Sequence, residues 1–223
     1  MKIFKSINKL NKEVNFKAGV GFVPTMGALH KGHISLIKSS KSNCKKTLVS
    51  IFINPSQFNK KSDFKSYPRK LKKDISILKK LNVDYLLIPK KNEIYKNKKS
   101  MKIKISKKNK ILCAKYRKGH FEGVLAVINQ LLLKIKAKFL YLGEKDYQQI
   151  YLIKNFIKNK FKTKIINCKT VRIKNSLPFS SRNSLLNSKN LKKAISISFQ
   201  IKKFYFSIRR NFKNKKNLKK VKN

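Results

Sequence analysis

Short apolar runs alternate with longer stretches of helical spacing along most of this chain. Five runs predict buried strands, at residues 20–23, 47–53, 83–89, 139–142 and 164–171. The positions that predict helices between them are Ile34, Leu36 and Ile37, then Leu71, Ile75 and Leu78 in a helix opened by Pro68, then Val124, Ile128, Leu131 and Ile135, and last the segment 147–156. This repeated order predicts an α/β fold, a Rossmann-like parallel sheet flanked by helices with right-handed crossovers.

Two stretches depart from the alternation. Residues 94–110 are rich in lysine, and the alternating apolar residues Met101, Ile103 and Ile105 predict an excursion with a short edge strand. From Asn183 onward the chain is polar and lysine-rich, and we predict a helical segment there.

Four loops with chemically useful side chains follow predicted strands or lie just beyond one. They are residues 24–33, 54–58, 143–149 and 179–182. Ligands of parallel sheets bind beyond the carboxyl ends of the strands. We therefore expect the four loops to build one site.

The loop at 24–33 ends in the run His30-Lys31-Gly32-His33, which holds two of the three histidines of the chain. It joins a predicted strand to a predicted helix, so backbone N–H groups and two imidazoles lie at a helix N-terminus. Such an end attracts phosphate, and imidazole can donate to a phosphate oxygen or carry a proton near neutral pH. A surface turn with idle histidines is the alternative, which the rarity of histidine disfavours.

The other loops carry weaker signals. Gln57 offers both a donor and an acceptor, which suits a neutral hydroxy-acid ligand, although alone it is equally an ordinary loop residue. Lys145 can pair with phosphate and Asp146 with a ribose hydroxyl, or the two can form a local surface ion pair. Residues 180–183 (SSRN) supply hydroxyls and a guanidinium for terminal phosphates, or simply a helix cap.

The charge is extreme but its composition is uneven. The 223 residues include 58 Lys and Arg against 8 Asp and Glu, a formal net charge of +50. A basic nucleic-acid-binding protein is the obvious reading, yet only six of these residues are arginine, the better residue for bidentate phosphate contacts. Abundant lysine, asparagine and isoleucine with scarce glycine are typical of an AT-biased genome, so we interpret most of the charge as solvated surface.

The cysteines and the apolar runs suggest where the protein works. Cys44, Cys113 and Cys168 are far apart and have no CxxC spacing, so zinc and a disulfide framework are disfavoured. No run approaches the length of a membrane span, and the N-terminus has no signal-like apolar segment. We predict a cytoplasmic protein with reduced thiols.

Seven motifs together resemble one family, pantothenate synthetase (pantoate–β-alanine ligase), of the HxGH nucleotidyltransferase superfamily. They appear in the family's order, as PTMGALHKGH at 24–33, SIFINPSQF at 50–58, YPR at 67–69, Asp74, RKGHFEGV at 117–124, GEKDYQQ at 143–149, and VR with SSRN within 171–183. The resemblance covers about residues 1 to 190.

The resemblance implies an ATP-dependent ligase with Mg²⁺ as cofactor. Pantoate would attack the α-phosphate of ATP to give pantoyl adenylate and pyrophosphate, and β-alanine would then displace AMP to give pantothenate. Family members are usually homodimers, and we expect no specific nucleic-acid partner and no membrane. The alternatives are a degenerate relic of this fold or a basic nucleic-acid-binding protein.

The resemblance also implies roles for single residues. The catalytic set would be His33, as the candidate proton donor, with His30 and Lys145. Gln57 would contact pantoate and β-alanine, Gln149 would contact pantoate, and Asp74 aligns with an acid linked to the metal. The implied ATP-binding residues are Met26, Gly27, Ala28, Leu29, His30, Lys31, Gly32, His33, Gly143, Glu144, Lys145, Asp146, Val171, Phe179, Ser180, Ser181 and Arg182.

The family pattern also predicts how the chain is divided. We expect a Rossmann-like domain that binds nucleotide and pantoate over residues 1–170, and a shortened C-terminal lid segment over residues 171–223, where family members usually carry a longer lid domain. Phe179 stands where the family usually has methionine or leucine.

Overall fold

The centre of the protein is a six-stranded parallel sheet. The structure, a computed structural model, describes residues 1–95 and 103–220, with side chains through Arg210. The strands run in the order β1-β4-β3-β2-β5-β6. Their bounds are Lys2–Phe4 (β1), Val20–Thr25 (β2), Lys46–Ile51 (β3), Tyr85–Leu87 (β4), Phe139–Gly143 (β5) and Lys164–Cys168 (β6).

Helices cover both faces of this sheet, and a small hairpin follows it. The helices are Ile7–Glu13 (α1), Lys31–Asn43 (α2), Lys61–Ser66 (α3), Leu71–Lys80 (α4), Lys91–Ile94 (α5), Cys113–Tyr116 (α6), His120–Lys134 (α7), Tyr147–Ile157 (α8) and Ser188–Lys220 (α9). The antiparallel hairpin pairs Arg172–Ile173 (β7) with Leu177–Pro178 (β8). The predicted α/β class with a parallel sheet and flanking helices is confirmed.

Neighbouring residues of the central strands belong to different hydrophobic cores. Phe22 and Leu140 pack in a core that includes most of α7, whereas Val23 and Tyr141 pack in a second core with Leu36, Ile37 and Leu78. Successive side chains of a strand point to opposite faces, so a sheet covered on both faces needs apolar residues at every position. This explains the continuous apolar runs in the sequence.

The sheet order creates a crevice between β2 and β5. The chain leaves β2 toward β3 and β4, then returns through α7 to place β5 on the other side of β2. At such a switch point the loops after the two strands diverge and leave room for a ligand. Here the loops are those that follow Thr25 and Gly143.

Several predicted boundaries are wrong. The helix predicted from Pro68 begins only at Leu71. Arg69 donates hydrogen bonds to the carbonyl oxygens of Phe64, Lys65 and Tyr67, so its side chain caps the end of α3 and residue 69 does not begin α4. Leu71 is exposed, and Asp74 takes the buried position beside Leu78. The strands β3, β4 and β6 end earlier than predicted, at Ile51, Leu87 and Cys168, while β1 and α1 were not predicted.

The lysine-rich excursion contains no strand in its described part. Residues 91–94 form α5, and residues 103–110 contain only a short 3₁₀ turn. Met101 lies outside the described residues. In the part of the chain that the structure describes, no helix is both long enough and apolar enough to cross a membrane.

A glycine in α7 sets how closely this helix approaches the loop after β3. A Cβ built on Gly123 would lie 2.2 Å from the carbonyl oxygen of Ser56, within backbone that cannot rotate away. The carbonyl oxygen of Gly123 also accepts a hydrogen bond from Asn54 Nδ2 at 3.1 Å. The turn Pro55–Gln57 therefore lies directly on the helix.

We predict that Gly123→Ala lowers the free energy of unfolding by about 1–3 kcal/mol, the usual cost of overpacking, although alanine favours helix. Gly143→Ala is the matched control, because its new Cβ meets nothing closer than 4.0 Å at a negative φ. Urea unfolding midpoints of the two variants measure the difference. A Gly123→Ala protein as stable as the wild type would show that the loop moves away at no cost.

Candidate active site

A cleft of about 240 Å³ lies at the β2–β5 switch point. It takes side chains from each of the four predicted loops: His30 and His33, Gln57, Lys145 and Gln149, and the segment 179–182. Part of its wall is apolar and comes from α7, through Val124, Val127, Ile128 and Leu131. The expectation that the four loops build one site agrees with this arrangement.

The two histidines of α2 are stacked on each other with ring centroids 4.0 Å apart. His30 is the N-cap of the helix, and its Nδ1 accepts the N–H of Gly32 at 3.1 Å, so its hydrogen is on Nε2. Nδ1 of His33 is buried without a hydrogen-bond partner in the described part of the chain.

Both imidazoles are neutral near pH 7. Burial lowers the pKa of His30 to about 4, with the charge of Lys145 adding to the effect. Burial lowers the pKa of His33 to about 3, assisted by His30 and Lys145. A neutral imidazole still has one N–H to donate and one lone pair to accept. The pair can therefore bind an anion as hydrogen-bond donors, without a positive charge of their own.

The turn that leads into α2 is fixed by a buried carboxylate. Gly27 and Ala28 adopt φ values of 78° and 50°. Asp74, on α4, accepts the N–H groups of Ala28 and Leu29 at 2.8 Å each, one on each oxygen. Ser181 adds a bond from its hydroxyl to the carbonyl oxygen of Ala28 at 3.1 Å. The position of the histidines thus depends on a contact between the turn before α2 and Asp74 on α4.

The surroundings of Asp74 bear on its predicted link to a metal. Its side chain is 1% exposed and does not line the cleft. Both carboxylate oxygens already accept a backbone N–H, which does not suit direct ligation of a metal ion. Among the described residues, no three of His, Cys, Asp and Glu lie close enough together to hold a metal.

The loop after β5 contributes a cation to the cleft. Lys145 lines it with Gly143 and Asp146, and its ammonium lies 3.0 Å from the Asp146 carboxylate. Both side chains are partly exposed, so this ion pair stabilises the fold little and can rearrange. Glu144, by contrast, lies outside the cleft lining.

Arg182 is held by a carboxylate that the sequence did not single out. Its Nε and one terminal nitrogen donate to the two oxygens of Asp63 at 2.9 and 2.8 Å. The guanidinium also lies 5.3 Å from the ring centroid of Tyr67. The Arg182 guanidinium holds the pKa of Asp63 below its usual value. The side chain predicted to bind phosphate is thus ordered beside the cleft before any ligand enters.

Asn54 organises the loop after β3. Its side chain donates to Gln57 Oε1 at 3.0 Å and to the carbonyl oxygen of Gly123, and accepts from the Tyr95 hydroxyl at 3.0 Å. Asn54 is 1% exposed. These bonds orient the amide of Gln57, which lines the cleft as Gln149 does.

Most of the predicted site residues line the cleft. Those that do are Met26, His30, Gly32, His33, Gln57, Gly143, Lys145, Asp146, Gln149, Val171, Phe179, Ser180, Ser181 and Arg182. Those that do not are Gly27, Ala28, Leu29, Lys31, Asp74 and Glu144. Residues 27–29 form the turn behind the histidines, and Phe179 stacks toward His30 with centroids 6.2 Å apart.

The cleft also contains side chains for which no role was predicted. The polar ones include Thr25, Ser50, Asn54, Tyr67, Arg117, His120, Lys169 and Thr170. All of these except Lys169 and Thr170 belong to motifs that carry the family resemblance, and that was the only signal that could have identified them. Lys169 and Thr170 follow β6 in a lysine-rich stretch and gave no signal.

The sequence and the fold match known proteins along most of the chain. The family model for pantoate-beta-alanine ligase matches residues 2–222. Pantothenate synthetase of Francisella tularensis subsp. novicida is 45% identical over 216 residues, which cover 96% of this chain and 82% of the relative. The enzyme of F. tularensis subsp. mediasiatica is 47% identical with the same coverage.

Solved structures agree. The F. tularensis pantoate-beta-alanine ligase, in complex with beta-gamma ATP and beta-alanine, superposes with a TM-score of 0.85 at 45% identity, covering 89% of this chain and 78% of that one. Pantothenate synthetase of Thermus thermophilus gives 0.84 at 32% identity, covering 89% and 72%. Because the family model, the identities and the fold all agree, the chain belongs to the pantoate–β-alanine ligase family.

Proposed function

We propose that the cleft performs both half-reactions of ATP-dependent pantothenate formation, and that its loops divide the work between nucleotide and acid. Pantoate would attack the α-phosphate of ATP, and β-alanine would then attack the resulting acyl adenylate. The observation that carries this proposal is the pair of neutral, stacked histidines at the N-terminus of α2, in the same cleft as Lys145. A relic without activity or a nucleic-acid-binding protein is not favoured, since the family match covers residues 2–222 and many polar residues of the family motifs line one cleft.

Adenylation builds negative charge on the phosphorus centre, so it needs fixed donors and a cation. We assign the donors to the ring N–H groups of His30 and His33 and to the N-terminal backbone of α2. Lys145 supplies the positive charge. Residues 179–182 border the nucleotide, with Arg182 already ordered by Asp63.

Pantoate and β-alanine are assigned to the side of the cleft that carries the amide side chains of Gln57 and Gln149. Gln149 and Gln57 offer a donor and an acceptor each, which suits the hydroxyl and carbonyl groups of pantoate. Gln57 would also contact β-alanine. The apolar wall from α7 suits the methyl groups of pantoate and excludes water from the acyl adenylate, which hydrolyses readily.

We propose that Mg²⁺ binds together with the nucleotide. The described residues do not form a protein-only metal site, but Mg²⁺ commonly binds substrate phosphates with few protein ligands and several waters. Such an ion would neutralise phosphate charge. The assignment of Asp74 to the metal stays a prediction, and we propose instead that Asp74 acts by holding the turn before α2.

Three further predictions belong to the proposal. Residues 171–223 would serve as the lid segment, with the loop at 179–182 as its contact with the nucleotide. The protein would be a homodimer, and exposed apolar residues of α9 such as Ile197, Ile201 and Phe204 are surface that a second subunit can cover. The location would be cytoplasmic, with the three cysteines unpaired.

The overall proposal is tested by product formation. The purified chain should release AMP and form pantothenate in equal amounts only when ATP, pantoate and β-alanine are all present. Omitting β-alanine should leave pyrophosphate formation of about one equivalent per site. AMP formation that does not depend on pantoate would contradict the proposal.

We predict that His33→Ala lowers the rate of adenylation by about 2–4 kcal/mol of transition-state stabilisation, the usual loss for a positioned donor. His33→Asn should recover part of this loss, since an amide keeps an N–H and the native imidazole is neutral. Single-turnover pyrophosphate release measures the step, with urea midpoints as the control for folding. If the asparagine variant is as slow as the alanine variant, neutral hydrogen bonding is not what His33 supplies.

Asp74→Asn tests the structural role of this carboxylate. An amide NH₂ cannot accept the second backbone N–H, so one buried donor is left unpaired at a cost of about 1–3 kcal/mol. We expect slower adenylation and faster amide exchange at residues 28 and 29, with an unchanged Mg²⁺ concentration for half-maximal activity. Glu13→Gln serves as the control, because its carboxylate lies outside the cleft lining and pairs only with Lys2 among the described residues. A large shift in the Mg²⁺ requirement with unchanged amide exchange would restore the metal assignment.

A further inference from the structure

The third histidine of the chain lines the same cleft but has no place in the adenylation step. His120 is the first residue of α7, and its side chain is buried in the wall of the cleft. It belongs to a different element from His30 and His33 and packs edge-on against Phe121. Burying a polar ring is costly unless its nitrogens form hydrogen bonds, so the contacts of both ring nitrogens matter.

The tautomer of His120 is fixed by the backbone of Gln57. Nδ1 lies 2.7 Å from the Gln57 carbonyl oxygen, and because a carbonyl oxygen can only accept, Nδ1 must carry the hydrogen. Nε2 then keeps its lone pair. Among the described residues nothing donates to Nε2. The ring therefore presents one free acceptor nitrogen.

His120 is uncharged near neutral pH. Burial lowers its pKa, and the charges of Arg117 and Arg182 add to this, while the bond to Gln57 and the charge of Asp146 oppose it. An imidazole that is neutral, fixed in one tautomer and free at its second nitrogen meets the requirements for a general base.

The contact with Gln57 also locates this base. In the proposed function Gln57 is the residue that contacts both pantoate and β-alanine, and His120 is bonded to its backbone. We propose that Nε2 of His120 accepts the proton that the ammonium of β-alanine must lose before its nitrogen attacks the acyl adenylate. The proposal rests on the proposed function and adds a catalytic residue to its second half-reaction.

The proposed step moves two protons, forms one bond and breaks one bond. One proton passes from the ammonium nitrogen to Nε2, which frees the nitrogen lone pair. The nitrogen then forms a bond to the acyl carbon, the bond from that carbon to the phosphate oxygen breaks, and AMP leaves with the electron pair. The second proton of the nitrogen goes to water, and the imidazolium returns its proton to water when the product leaves.

The charges around His120 favour this transfer. Arg117 lines the cleft, and no described residue forms a hydrogen bond or ion pair with its side chain. Its positive charge disfavours an ammonium nearby and so lowers the pKa of the amine. Arg182 and Asp63 pair with each other and largely offset one another, and Asp146, whose charge acts against that of Arg117 on His120, is paired with Lys145.

Two variants separate the base from the structural contact. His120→Asn removes the basic nitrogen, but its amide N–H can still donate to the Gln57 carbonyl oxygen. His120→Ala removes both functions. Each variant and the wild type are assayed with ATP and pantoate plus either β-alanine or hydroxylamine. Hydroxylamine is largely unprotonated at neutral pH, so it can form the hydroxamate without a base.

For His120→Asn we expect transfer to β-alanine to fall by about 100-fold or more, while hydroxamate formation stays within about threefold of the wild type, because general bases contribute on this scale. Raising the pH toward the pKa of the amine should restore much of the β-alanine rate. Hydroxamate formation itself shows that the variant is folded and makes the adenylate.

The remaining outcomes overturn the inference in different ways. Equal losses with β-alanine and hydroxylamine in His120→Asn would show that the ring only supports Gln57. A wild-type rate with β-alanine in the same variant would show that no base is needed at this position. A wild-type protein that forms neither pantothenate nor hydroxamate would overturn the proposed function itself, and this inference with it.

Discussion

Two hydrogen bonds to one buried carboxylate determine the geometry of the turn that places both cleft histidines at the start of α2. Ala28 is not a glycine, yet it adopts a left-handed backbone, which costs energy unless its surroundings hold it there. Asp74 provides that constraint by accepting the N–H groups of Ala28 and Leu29. The direction in which α2 begins follows from this turn, and with it the stacking of His30 on His33. A group outside the cleft therefore controls the groups inside it.

The positioned histidines offer hydrogen-bond donors without a positive charge of their own. The protein carries a net charge of +50, but the two histidines stay neutral because burial and Lys145 oppose their protonation. N–H donors that are already in position need no reorganisation free energy when negative charge develops in a transition state. A flexible lysine side chain loses conformational entropy when it binds. The many surface lysines add to the self-repulsion that a high net charge causes.

The sequence predicted the fold wherever burial alone decides the structure. The strands β2 and β5 and the helix α7 appear as continuous or regularly spaced apolar residues, since their surroundings are apolar on every side. The short strand β1 has a largely exposed pattern over Lys2–Phe4 and could not be recognised. Pro68 gave a correct local signal for a helix start, but the three bonds of Arg69 to carbonyl oxygens ended α3 there. The roles of Asp74 and Asp63 depend on partners 45 to 119 residues away, and no local pattern encodes such contacts.

The rare residue types of this chain are concentrated in the cleft. In a chain where lysine is everywhere, the scarce residue types mark positions that lysine cannot fill. All three histidines line the cleft, as do two of the six arginines, Arg117 and Arg182. A lysine at position 182 could not form the bidentate contact with Asp63, and a lysine at 120 would carry a charge where a neutral acceptor is held. In this chain the directional contacts of the cleft are therefore made by the scarce residue types, and lysine dominates elsewhere.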